Sequence, residues 1–191
     1  QGMLNLTIFL AVLSTGQAET IKEAYQPPAG AQRIPGDAFA NWLQALPLKD
    51  KDAAIRTYSG RRVSHDGRPV DFPLVRGDLQ QCADSAIRLR AEWVRASGGD
   101  LGSLSYFATS GDPLPWSRYK AGEQPFVRSD RIAWRPVDPA TQSWEGWLQA
   151  VFTWAGTRSL AAYETLPVTG EPKPGHMLVT PGSPGHAVVI L

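Results

Sequence analysis

A single cysteine, Cys82, excludes any disulfide within this chain. Charge of one sign is also missing: 19 Lys and Arg against 18 Asp and Glu leave a net charge of +1. No strong field therefore draws the chain to nucleic acid or to an anionic membrane. No apolar run is long enough to cross a bilayer as a stable helix, so no membrane span is expected. Internal repeats, low-complexity tracts, a phosphate-cradling glycine loop and a G-x-S-x-G serine elbow are all absent. There are three histidines. His65 lies in a charged loop and reads as solvated. His176 and His186 have no evident third ligand, so no metal site is assigned, and no cofactor is implied.

What is present suits one domain, alone or behind a processed leader. Hydrophobic residues make up 42% of the 191 positions, enough for a core, and seven are Trp. Tryptophan in that number fills cores more often than it stacks on sugars. Met3 to Ala18 carries no charge and holds the run Leu4 to Leu13, followed by Ser14-Thr15-Gly16-Gln17-Ala18. This is the pattern of a secretory signal cleaved after Ala18, with Met3 as the start, although its n-region lacks Lys and Arg. Glu19 to Arg33, with Pro27-Pro28-Ala29-Gly30, reads as a linker, and residues 34–191 as one α+β domain.

Within that domain, Asp37 is placed to cap a helix whose apolar face is Phe39, Trp42, Leu43 and Leu46. Ala54 to Tyr58 and Val70 to Val75 read as strands. The clearest helix follows, with Asp78 as cap, Gln81 completing a capping box, and an apolar stripe of Leu79, Cys82, Ala83, Ala86, Ile87, Trp93 and Val94. Asp84, Arg88 and Glu92 read as a solvated ladder on the far face. Arg90 falls within the stripe and is expected to be buried against a carboxylate or several carbonyls. Leu104 to Ala108 suits a strand, Ser110 to Pro125 a long surface loop, Ile132 to Trp134 a short strand. Gln142 to Ala155 is a helix lined by Trp144, Trp147, Leu148, Val151 and Phe152, and Thr157 to Tyr163 a shorter one. Pro174-Gly175 and Pro181 to Gly185 mark the turns of a final hairpin. Its last five residues are apolar, as in a central strand covered on both faces, and predict a domain that continues past Leu191.

One constellation carries chemistry. A cysteine in the first turns of a helix sits where free N–H groups and the dipole favour negative charge, and a histidine opening a core strand is a well-held base. Cys82 and His186 occupy such places, with Gln80 and Gln81 as side-chain oxyanion candidates. Papain-like peptidases and amidases combine these features in the same order, and the tail resembles their cell-wall amidase branch. There a Pro-Gly turn leads through a strand and loop to Gly-His before an apolar strand, here Pro174-Gly175 and Gly185-His186 with Ala187 to Leu191. His176 departs from it, since that branch often has an acidic residue after Pro-Gly. No third orienting residue is assigned.

A closer resemblance covers most of the chain. Phe39-Ala40-Asn41-Trp42-Leu43, Asp78-Leu79-Gln80-Gln81-Cys82-Ala83-Asp84 with Arg88 to Glu92, Ala155-Gly156-Thr157 and Pro184-Gly185-His186-Ala187-Val188 are similar to a secreted bacterial family catalogued as domain of unknown function 4846. That resemblance implies an exported bacterial protein, periplasmic or extracellular, and no established activity. The residues support two readings. In one, the chain is a papain-like thiol hydrolase acting on a cell-envelope peptide or glycopeptide through Cys82 and His186. In the other, Cys82 packs, His186 holds a turn, and the chain is a non-catalytic envelope binding or structural protein.

Overall fold

The computed structural model describes residues 18–191, so the expected leader lies outside the described residues apart from Ala18. The architecture is mixed α+β, with six α-helices, a short 3-10 helix (Pro139–Thr141) and three two-stranded antiparallel hairpins among those residues. The order is α1 (Ile21–Ala24), α2 (Ala38–Gln44), α3 (Cys82–Ala96), β1 (Ser105–Phe107), β2 (Pro113–Pro115), α4 (Trp116–Lys120), β3 (Glu123–Arg128), β4 (Arg131–Pro136), α5 (Trp144–Trp154), α6 (Thr157–Ser159), β5 (Met177–Thr180) and β6 (His186–Val189). Alpha6 continues into a π-helical turn, Leu160–Glu164.

The periodic segments form as their spacing dictates. Asp37 caps α2 by accepting a 2.8 Å hydrogen bond from the Ala40 N–H, and Leu43 and Leu46 are buried. Alpha5 buries Trp147, Leu148 and Val151 completely, and the Trp147 indole donates to the Leu114 carbonyl at 3.0 Å. These residues centre a core shared by α3, β1, β2, α5 and Ala187 of β6. A smaller cluster joins Ile21, Leu43, Leu46 and Leu48, with Leu89 of α3 and Val189 of β6 against it. Helix α3 therefore runs between two apolar clusters.

The departures from the sequence reading have local causes. Residues 19–33 are not all linker: Thr20 and Glu23 form a capping box over α1, and Ile21 is buried in the small cluster. Ala54 to Tyr58 and Val70 to Val75 form no strands. They make only isolated bridges, Arg56 to Arg62 and Leu48 to Val70, each flanked by two backbone hydrogen bonds and extended no further. Ser110 to Pro125 is not a loop but holds β2, α4 and the start of β3. The β3–β4 turn is Ser129-Asp130, both at positive φ, so no glycine marked it in the sequence. The terminal strand is covered on one face only. Ala187 and Val189 pack inward with Met177 and Val179, whereas Leu178 and Val188, paired across the hairpin, are exposed.

Candidate functional site

The capping of α3 differs from the expectation. Gln81, not Asp78, is the N-cap, and its N–H donates to Asp84 Oδ2 at 2.9 Å. Cys82 is accordingly the first helical residue, where backbone N–H groups have no intrahelical acceptor and the dipole favours negative charge. Its side chain is partly exposed and lines a groove of about 310 Å³. One wall is Asp78, Gln81 and Cys82; the other is Thr157 with the turn 182–185. Thr157 Oγ1 accepts from the Gly182 N–H at 3.3 Å and donates to the Gly182 carbonyl at 3.4 Å, pinning that turn to the start of α6. A Cβ at Gly185 would collide with the Thr157 hydroxyl, which is why the backbone can close in so tightly there.

His186 is the residue after Gly185 and the first of β6, which packs against α3. Helix and strand thus bring the two candidate residues to the same end of the domain. Strand alternation sends Ala187 toward α3 and leaves the His186 side chain exposed. No hydrogen bond joins Cys82 Sγ to the imidazole among the described residues. Gln80 is turned to another task, its Oε1 accepting from Arg88 Nη1 at 2.7 Å, whereas Gln81 stays exposed at the groove. His176 lies elsewhere, its Nδ1 accepting from the Lys173 N–H at 3.0 Å. His65 is exposed and its Nδ1 accepts from the Gly67 N–H at 2.8 Å. No group of three His, Cys, Asp or Glu residues is placed to hold a metal among the described residues.

The ladder on α3 is not solvated, and Arg90 is not buried. Arg88 is 4% exposed, lies 5.4 Å over the Phe72 ring, and has Nε 3.6 Å from Glu92 Oε1. Glu92 also accepts from the Trp144 indole at 3.1 Å. The irregular segment carrying Phe72 and Gln80 folds over this face, which helical periodicity cannot foresee. Arg90 is exposed, with its guanidinium over the rings of Trp93 at 4.5 Å and Phe39 at 5.9 Å. At its level along the helix the neighbouring elements leave a cavity instead of a packed wall.

Asp84, read from the sequence as a surface acid, is buried beside Cys82 in the groove wall. Burial pushes its carboxyl up to about 6 against the opposing hydrogen bond from the Gln81 N–H, and its Oδ1 has no partner among the described residues. Its position three residues after the N-cap was the available signal. Thr157 gave none, since its role arises from a turn 25 residues away.

The family described as Domain of unknown function (4846) matches residues 21–191. The chain belongs to that family. The match spans α1 to β6 and so includes Cys82, Thr157 and His186. No curated protein and no solved structure matches the chain. Among the described residues no helix is long and apolar enough to cross a membrane. The family description carries no activity, so function is argued from the groove.

Proposed function

We propose that this member of the family is an exported, papain-like thiol hydrolase that cleaves an amide of a cell-envelope peptide or glycopeptide, with Cys82 as nucleophile and His186 as base. The observation that carries the reading is the placement of Cys82 at the first position of a 15-residue helix, in a groove whose opposite wall leads directly into His186. In the reaction the Cys82 sulfur bonds to the carbonyl carbon and its proton passes to the imidazole. The negative oxygen faces the free N–H groups of the first turn of α3, with the Gln81 amide beside them. Collapse of the adduct breaks the C–N bond, the imidazolium protonates the leaving amine, and water then hydrolyses the thioester. The exposed imidazole must turn over the lip of the groove to reach the thiol.

The absence of a sulfur–imidazole hydrogen bond favours a second reading, a non-catalytic envelope protein in which Cys82 only lines the groove. One experiment separates the two. On the hydrolase reading, Cys82 of the folded protein reacts with iodoacetamide at pH 7 several-fold faster than free cysteine, and His186→Ala slows it without changing the melting temperature. A thiol that reacts only after denaturant is added, with His186→Ala making no difference, overturns the hydrolase and leaves the binding protein.

A further inference from the structure

A second cavity, of about 440 Å³, lies further along α3 from the Cys82 groove. Eight residues separate Cys82 from Arg90, about 12 Å along the helix axis. The cavity walls are apolar, including Leu104, Leu160, Met177 and Val189, and Leu166 and Val168 stand at its mouth, exposed at 90% and 50%. Six polar residues line it, Arg90, Ser105, Tyr106, Glu164, Thr165 and His176; Ser105 Oγ donates to the Tyr106 carbonyl at 3.4 Å and Thr165 Oγ1 to the Leu160 carbonyl at 3.0 Å. The Tyr106 hydroxyl is committed to the Ile87 carbonyl at 3.0 Å, and His176 Nδ1 to the Lys173 N–H.

Arg90 and Glu164 differ from these. They carry opposite charge types, line one cavity, and do not form a salt bridge with each other. Each is held by something else. The guanidinium rests on Trp93 and Phe39, which leaves its N–H fork without a carboxylate among the described residues. Glu164 Oε1 accepts from the Phe107 N–H at 2.6 Å, and its Oε2 receives no hydrogen bond among the described residues. Burial pushes that carboxyl up to about 7, so it gains from a cationic partner. A preorganised fork for a carboxylate, a carboxyl open to an ammonium and an apolar wall together describe the complement of one ligand class.

We propose that this cavity binds an amino-acid zwitterion with an apolar side chain, its carboxylate on Arg90 and its ammonium on Glu164. A free amino acid and a short peptide share that chemistry. The proposal does not depend on catalysis at Cys82, whose groove contributes none of these side chains.

Isothermal titration of the Cys82→Ala chain, which cannot turn over a peptide through that thiol, tests it with five probes: leucine, leucyl-leucine, N-acetyl-leucine, leucinamide and octanoate. Leucine or leucyl-leucine is expected to saturate, the tighter of the two identifying the source. Removal of either charge, as in N-acetyl-leucine and leucinamide, should weaken binding at least about tenfold, the effect of one lost charge-assisted hydrogen bond. Arg90→Met should weaken leucine by a similar factor and Arg90→Lys by less, whereas Glu164→Gln should weaken leucine without affecting N-acetyl-leucine. Octanoate or N-acetyl-leucine binding as tightly as leucine overturns the proposal, and so does failure of both zwitterions to saturate at roughly 10 mM. If Arg90→Met proves unfolded by circular dichroism, the probe series on the unaltered cavity decides alone.

Discussion

Two arginines placed two residues apart on α3 show how a single position decides a charge's energetics. Arg88 is covered by Phe72 and shared between Gln80 and Glu92, so removing it strands a half-buried carboxylate and an amide. Arg88→Met should cost about 3 kcal/mol in urea unfolding, the order seen when one partner of a buried pair is deleted. Arg90→Met should cost less than about 1 kcal/mol, because it loses only exposed contacts with aromatic faces. Equal losses would show that Arg90 is also structural. The buried carboxyls make a second residue-scale prediction. Asp84 ordinarily titrates at 3.8 and Glu164 at 4.5, and burial raises them to about 6 and about 7. Between those values the folded chain binds more protons than the unfolded one. The stability from these groups is therefore full below about pH 4 and is lost as pH rises through 6 and 7. Asp84 faces the groove and Glu164 is half-buried, so solvent screening reduces the combined effect to about 2 kcal/mol. Asp112 acts in the opposite sense, since hydrogen bonds from Arg131 hold it down at about 2, and its contribution is lost only as pH falls from about 4 toward 2. The melting temperature should be about 5 °C higher at pH 5 than at pH 8. The double variant Asp84→Asn with Glu164→Gln should flatten that difference; an unchanged slope would assign it to other groups.

At the scale of elements, the β3–β4 hairpin shows how a turn can hide. Its two central residues, Ser129 and Asp130, adopt φ of 50° and 60°. Two-residue turns with both residues left-handed usually carry glycine, and a side chain there is held against a steric cost. The hairpin persists because the ladder is long and because Asp112 anchors it from outside, accepting from Arg131 Nε at 2.9 Å and from the Ile132 N–H at 2.9 Å. Asp130→Gly should therefore stabilise the fold by about 0.5 to 1 kcal/mol, read as a shift of the urea midpoint at constant slope. A loss of stability would show that the Asp130 side chain contributes more than its strain costs. Alpha3 gives the complementary case. Its existence follows from spacing alone, but its cap moved from Asp78 to Gln81, and with that shift Cys82 became the first helical residue.

For the whole molecule, the two apolar clusters meet across α3 and β6 but differ in size. Trp147, with no exposed surface and an indole bonded to Leu114, belongs to the large cluster. Trp147→Ala should cost about 3 to 5 kcal/mol and lower the protection of amides throughout the chain. Leu46→Ala, in the small cluster, should cost about 2 to 4 kcal/mol and release chiefly the amides of α1 and α2. Hydrogen exchange followed by mass spectrometry distinguishes these patterns, and identical patterns would mean that the clusters unfold as one unit.

Local spacing was enough to determine α2, α3, α5, the closing hairpin, the α+β class and the placement of a cysteine at a helix start. Each of these is written in residues close together in the chain: a 3.6-residue stripe, a capping side chain, a Pro-Gly turn. The sequence could not say which face of α3 would be covered twice, because Phe72 and Gln80 reach Arg88 from an irregular segment. Nor could it place Thr157 against the turn before His186, or show that packing stops beside Arg90 and leaves a cavity facing Glu164. Those features depend on how segments distant in sequence meet, and burial, which sets the charge state of Asp84 and Glu164 and the freedom of Arg90, exists only after they have met.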